Sequence, residues 1–155
     1  MSSVTLAQAE QVIDAILARG RELDWRPLSA IVTDPGARII AFKRGDGSSM
    51  MRFEMAMGKA FAALALGRSS SLVHARADER PLFMNFLIGA SGGQLFPEGG
   101  GMLIRDPSGE LIGALGVTGE TEQRDEELAA FGIRAAGFKT DEDCSDLGQK
   151  VRLQN

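Results

Sequence analysis

Hydrophobic side chains recur at helical spacing in three stretches of the chain. Between residues 5 and 23 they fall on one helical face, and Thr5 followed by Gln8 matches a capping box at its start. The same spacing predicts a second helix from about Met51 to Leu66 and a last helix capped by Thr118 or Thr121. The apolar positions of the first helix are Leu6, Ala9, Val12, Ile13, Ile16, Leu17 and Leu23.

Four shorter stretches are typical of strands, because they are rich in β-branched and apolar residues and flank two tight turns. The turns contain Asp34-Pro35-Gly36 and Asp106-Pro107-Ser108-Gly109. The sequence therefore predicts two β-hairpins, and the glycines Gly113 and Gly116 predict close backbone contact within the last strand. The predicted strands are Leu28–Thr33, Arg38–Arg44, Met102–Arg105 and Glu110–Thr118.

The region between the hairpins is less regular. Ser69, Ser70 and Ser71 are candidate caps of a short helix. Pro81 to Ile88 is apolar without a clear period, so the pattern assigns it neither a helix nor a strand. The resulting order of helix, hairpin, helices, hairpin and helix predicts an α/β fold of the α+β type, with a mainly antiparallel sheet and packed helices.

Composition limits the function classes. At 155 residues and 44% hydrophobic content the chain suits a single domain. Its 17 basic and 21 acidic residues, with no long run of one sign, argue against a nucleic-acid partner. No segment has the ~20 apolar residues of a membrane helix, so we expect a cytoplasmic protein without a membrane partner. The single cysteine, Cys144, excludes an internal disulfide.

Three features are candidate ligand contacts. Lys59 is the only charge between Glu54 and Arg68 on an apolar helix, so its amine is available to an anionic ligand or snorkels to solvent. Gly99 and Gly100 lack a Cβ, which permits a ligand to approach the backbone, although a plain loop is the alternative. No GK[ST] motif accompanies these glycines, which argues against a phosphate loop.

His74 and Asp125 are the candidate groups for acid–base or iron chemistry. His74 is the only histidine, which excludes a histidine-pair metal site. It is an axial haem ligand, a single base, or an exposed residue of the serine-capped helix. We therefore predict no metal site beyond that haem role. Asp125 begins the last helix, where it either reaches a pocket or simply complements the helix dipole.

The chain resembles the GlcG/HbpS-like family, also called haem-degrading or PduO C-terminal-like, from about Thr5 to Phe138. The resemblance rests on the opening helix Thr5–Ala9, the turn Val32–Ala37, the strand end Phe42–Gly47, Lys59-Ala60, Phe96–Gly100, and Gly109–Gly119 with Gln123 and Asp125. Two departures are Met102, where the family usually has proline, and Glu120, where it has glycine. The resemblance implies an antiparallel α/β fold, homo-oligomers, and in some members haem or corrinoid binding.

The leading hypothesis is a small-molecule-binding protein whose ligand is haem or a related tetrapyrrole. Its ligand-binding residues would be Lys59, His74, Gly99, Gly100, Met102 and Asp125. The alternative is a cofactor-free lyase, isomerase or hydratase of small-molecule catabolism that uses Lys59 with Asp125 or Arg44. A third is an accessory subunit whose small-residue helix faces serve packing. We expect one domain over 5–138 and a polar, loosely attached tail over 139–155.

Overall fold

The structure is a computed structural model that describes residues 2–144 of the 155-residue chain. It consists of five helices and four strands in the predicted order. The elements are α1 (Leu6–Glu22), β1 (Ser29–Thr33), β2 (Ile39–Arg44), α2 (Arg52–Leu66), α3 (Ser70–Glu79), α4 (Pro81–Ala90), β3 (Gly101–Arg105), β4 (Leu111–Thr118) and α5 (Glu122–Ala135). None of the helices in residues 2–144 is long and apolar enough to span a membrane.

The strands form one antiparallel sheet in the order β2-β1-β4-β3. Each predicted hairpin is present, and the two hairpins join where β1 lies beside β4. The register places Ser29 opposite both Arg44 and Thr118, and Gly116 opposite Gly101. One end of the sheet therefore gathers the end of β2, the start of β1, the end of β4 and the start of β3.

Helices cover both faces of this sheet. Helix α2 packs on one face against β1, β3 and β4, and α3 packs against α2. Helices α1 and α5 pack together on the other face. The main core lies between α1, α5 and the sheet, and its largest fully buried side chains are Ile13, Ile16, Ile104, Leu115, Leu128 and Ile133.

Helix α2 lies very close to the sheet because the strands present glycines to it. A Cβ on Gly116 would overlap the backbone carbonyl oxygen of Ala56, and one on Gly101 would overlap that of Lys59. On β4, the strand that carries Gly116, a Cβ on Gly113 would overlap the Thr33 carbonyl oxygen of the neighbouring strand β1. The predicted close contacts at Gly113 and Gly116 are thus confirmed. The contact at Gly101 places the Lys59 turn of α2 directly over the start of β3.

The helix caps agree with the sequence at two ends and differ at a third. Thr5 Oγ1 accepts a hydrogen bond from Gln8 N, and Thr5 N donates one to Gln8 Oε1, which completes the capping box of α1. Thr121, not Thr118, caps α5. Ser69, one of the three candidate caps, occupies the N-cap position of α3, but its side chain makes no cap hydrogen bond. The Ser70 hydroxyl instead accepts from Gly101 N at 2.7 Å, so tertiary contact replaces local capping.

Residues 81–88, which the sequence pattern left unassigned, belong to α4 with Pro81 at its first position. Only Met84 of this helix is buried. Leu82 is 84% and Phe86 is 72% exposed. Apolar residues therefore lie on both the buried and the exposed faces of α4, which explains why the sequence shows no amphipathic period there.

The first residues of the predicted tail are attached to the domain. Lys139 and Arg105 exchange backbone hydrogen bonds of 2.8 and 2.9 Å, and the Arg105 guanidinium binds Asp141 at 2.7 Å. Arg134 of α5 pairs with Asp143 at 3.0 Å. These contacts extend the compact region to at least residue 143, and the rest of the predicted tail, 145–155, lies outside the described residues.

Candidate functional site

The segment Glu98–Gly101 connects the candidate ligand residues to helices α3 and α5 and to strand β4. Gly101 N donates to the Ser70 hydroxyl of α3. Gly99 N donates to Glu122 Oε1 of α5 at 2.7 Å, and the Gly100 carbonyl accepts from Val117 N at 2.9 Å. Gly100 has φ +122°, which strongly favours glycine. The segment is therefore fixed by hydrogen bonds along its length.

Directly beneath this segment, Lys59 and Asp125 form a buried ion pair. The Lys59 side chain is 3% exposed and that of Asp125 is 2% exposed. Lys59 Nζ donates to Asp125 Oδ2 and to the Val117 carbonyl oxygen, each at 3.0 Å. Asp125 Oδ1 accepts from Glu120 N at 2.9 Å. A Cβ on Gly100 would come within 3.1 Å of the Lys59 amine, so the glycine leaves room for this pair.

The environment of Asp125 affects its proton affinity in two opposing ways. Burial raises the pKa of the Asp125 carboxyl, while the Lys59 ammonium and the Glu120 N–H counteract that rise. The carboxylate depends on Lys59 for compensation of its charge. The amine is in turn occupied by two protein oxygens, so the pair is built as a structural link between α2, β4 and α5.

On the outer side of the segment, His74, Glu98 and Glu122 form a second cluster. His74 Nδ1 lies 2.5 Å from Glu122 Oε1, and its Nε2 lies 3.7 Å from the exposed carboxylate of Asp78. One ligand atom from each of His74, Glu98 and Glu122 lies within 4.8 Å of the other two. The side chains of His74 and Glu122 are about one-third exposed, which leaves the cluster accessible to a ligand.

The three groups of this cluster perturb one another. The hydrogen bond with Glu122 raises the pKa of the His74 imidazole above its ordinary value, although burial opposes it. For Glu98, burial raises the pKa and the neighbouring Glu122 carboxylate adds to the rise. For Glu122, burial alone would raise the pKa, but hydrogen bonds from Gly99 N–H and His74 outweigh it, so the pKa is lowered.

A separate open cleft of about 470 Å³ lies between α5 and residues 140–142. Met102 contributes to its wall, together with Gln123, Glu126 and Arg134. The lining also includes the carboxylates of Glu127, Asp141 and Glu142, so acidic groups outnumber basic ones. Met102 therefore faces a space other than the one that His74 borders.

A comparison with known protein families identifies the family to which these elements belong. Residues 4–134 match the family model described as "Haem degrading protein HbpS-like". The chain belongs to the HbpS-like family. No curated protein matches the chain. The resemblance inferred from Phe96–Gly100 and Gly109–Gly119 is thus confirmed at the level of the family.

Solved structures show the same fold as this HbpS-like protein. Klebsiella pneumoniae protein ORFY has a TM-score of 0.79 at 23% identity, over 88% of this chain and 92% of the other. HbpS has a TM-score of 0.75 at 22% identity, over 86% and 90%. A structure described as a PduOC:heme complex has a TM-score of 0.78 at 22% identity, over 89% and 98%.

In this HbpS-like protein, the segment Glu98–Gly101 brings together most of the residues that the sequence suggested. Lys59, Gly100 and Asp125 meet on its inner side, and His74 meets Gly99 through Glu122 on its outer side.

Arg44 lies at the exposed end of the edge strand β2, three strand positions from β3. At ~4.8 Å per strand, that separation is roughly 14 Å across the sheet.

Sequence reasoning did not single out Glu98 and Glu122 as site residues. Glu98 appeared only within the motif Phe96–Gly100, and Glu122 only as a charge that suits a helix N-terminus. The two carboxylates lie 24 positions apart in the chain and meet His74 of α3 only through the tertiary fold. The available signal in the sequence was the carboxylate of Glu98 beside the paired glycines, together with that of Glu122 in the first turn of the last helix.

Proposed function

We propose that this HbpS-like protein binds haem or a related tetrapyrrole, with His74 as the axial ligand of the iron. The observation that carries the proposal is the hydrogen-bonded pair of His74 Nδ1 and Glu122 Oε1. A histidine that binds a metal usually donates its other ring N–H to a carboxylate, which orients the ring and makes the ligating nitrogen more basic. The Nε2 atom of His74 is the nitrogen left for iron.

The surroundings of His74 support this assignment. The imidazole is about one-third exposed, so a ligand can reach it without unfolding the domain. Helix α4 packs against α3, which carries His74, and exposes the apolar side chains of Leu82 and Phe86. A tetrapyrrole has a large apolar surface, and exposed apolar side chains of this kind are typical of surfaces that receive a partner or ligand.

Lys59, Asp125, Gly99 and Gly100 have supporting roles in the proposal. The Lys59–Asp125 pair lies close against Gly100, and Gly99 N–H fixes the Glu122 carboxylate that orients His74. When bound, the haem iron would supply the redox and ligand-binding chemistry of the site. The chain itself would supply the imidazole and its carboxylate support.

Titration of the purified protein with haemin tests the proposal. The Soret band should shift at one haemin per chain and show the spectrum of an imidazole complex. Because His74 is the only histidine in the sequence, a protein freed of any histidine tag can provide that spectrum only through this residue. His74→Ala should abolish it, and Glu122→Gln should weaken binding by about 10- to 100-fold, as expected when a metal ligand loses its hydrogen-bond partner.

The matched control is Glu79→Gln, which changes an exposed carboxylate on the same helix as His74. This variant should bind haemin as the unmodified chain does. An unchanged Soret titration in His74→Ala would refute the assignment of His74. The absence of any haemin binding by the unmodified chain would refute the proposed function.

A further inference from the structure

We propose that His74, Glu98 and Glu122 form a binding site for a divalent transition-metal ion, which would use His74 and Glu122 as an alternative to the haem ligation proposed above. The three side chains come from α3, from the segment Glu98–Gly101 and from the first turn of α5. One nitrogen or oxygen atom of each lies within 4.8 Å of those of the other two. Side-chain rotations can bring such atoms to the 2.0–2.2 Å typical of zinc coordination by imidazole and carboxylate.

The charge of the cluster favours a cation. Glu98 and Glu122 place two carboxylates side by side, whereas His74 can carry at most one positive charge. The field of the Lys59 ammonium reaches both carboxylates, but that ammonium is hydrogen-bonded to Asp125 and Val117. A divalent ion would balance the two carboxylates and leave the imidazole neutral, which is the form that binds metals.

The ligands are held in position by contacts outside the cluster. Gly99 N–H fixes Glu122 Oε1, and the Ser70 hydroxyl, on the helix that carries His74, donates to the Glu98 carbonyl oxygen at 2.5 Å. The same hydroxyl accepts from Gly101 N. Ligands fixed by such secondary hydrogen bonds lose little freedom on metal binding, which raises affinity.

The ligand set indicates the class of metal. One imidazole and two carboxylates suit Zn²⁺, Mn²⁺ or Fe²⁺ better than the thiolate-preferring Cu⁺. Three protein ligands at a partly exposed position leave at least one coordination position for water or another small ligand, as in catalytic rather than structural zinc sites. The metal would use Nδ1 of His74, the ring nitrogen next to Glu122, whereas the haem proposal uses Nε2.

Zinc titration of the tag-free chain, followed by calorimetry, tests this site. We expect one Zn²⁺ per chain, and a rise in the melting temperature with zinc that EDTA reverses. His74→Ala, Glu98→Gln and Glu122→Gln should each lower zinc affinity at least about tenfold, since each removes a direct ligand. The glutamine variants keep the side-chain size, and their melting temperatures without metal will show whether they are folded.

Two controls define the outcome. Glu79→Gln on α3 and Cys144→Ser, which removes the only thiol of the chain, should bind zinc like the unmodified protein. Glu98→Gln separates this site from haem binding, because it removes a proposed metal ligand and leaves the His74–Glu122 hydrogen bond in place. The proposed site would be overturned if zinc binding persisted in Glu98→Gln and His74→Ala, or if it were lost in Cys144→Ser. The absence of zinc binding to the unmodified chain would also overturn it.

Discussion

Replacing Lys59 by methionine should destabilise the domain strongly. The substitution keeps an unbranched side chain but removes the ammonium that pairs with the Asp125 carboxylate, which is 2% exposed and keeps its hydrogen bond from the Glu120 N–H. Removing one partner of a buried ion pair costs about 3–5 kcal/mol. For a domain of this size each kcal/mol lowers the melting temperature by about 2–4 °C, so we expect a fall of roughly 6–20 °C.

Urea unfolding and calorimetry of matched lysine variants measure this effect. Lys43 pairs with Asp14 on the surface, where both side chains are well exposed, so Lys43→Met should lower the stability far less than Lys59→Met does. Adding Asp125→Leu to Lys59→Met should restore much of the lost stability, because the double variant buries no unpaired charge. A Lys59→Met variant as stable as Lys43→Met would show that the buried pair is not formed.

The pH dependence of the Lys59→Met variant provides a second measure. Burial raises the pKa of Asp125, and the variant lacks the ammonium that opposes this rise. A raised folded-state pKa means that the folded state binds the proton more tightly than the unfolded chain. The stability deficit should therefore be largest near neutral pH and should shrink as the pH falls through the raised pKa of Asp125. A deficit that is constant from neutral to acid pH would contradict this reasoning.

Three further substitutions test the packing of the domain and the attachment of residues 139–141. Gly116→Ala places a Cβ against the Ala56 carbonyl oxygen and should lower the free energy of unfolding, measured in urea, by about 1–3 kcal/mol or more. Gly89→Ala in α4, where the added Cβ meets open space, should not destabilise the domain. Arg105→Ala removes the 2.7 Å pair with Asp141, so trypsin should cleave after Lys139 faster. Equal urea stability of the two alanine variants, or an unchanged cleavage rate, would contradict these contacts.

The predictable part of the fold is the part whose pattern is local. The Thr5–Gln8 capping box and the two hairpin turns each determine structure within a few residues, and each is present as predicted. The glycines Gly113 and Gly116 predicted a close backbone contact, but not the distant residues that make it. Helix α4 was not predictable, since apolar side chains occupy its exposed face as well as its buried one. Homo-oligomer formation stays a prediction.

Several residues of the candidate site could be predicted individually from the sequence, but their spatial arrangement could not. An isolated lysine in the apolar helix α2 and an acidic residue at the start of α5 were visible in the sequence, yet their pairing depends on the fold. Glu98 and Glu122 gave no joint signal because their spacing follows no metal motif. The position of Ser70 shows the same limit, since its hydroxyl serves the segment Glu98–Gly101 instead of its own helix.

The sealed position of Lys59 also determines its reactivity. The chain contains four lysines, and the amine of this one is covered by the segment Glu98–Gly101 and held by two oxygens. Reagents that acylate amines can reach it only when α2, β4 and α5 separate, which is close to opening of the whole domain. The rate at which this single amine is acylated therefore reports how often the native domain opens.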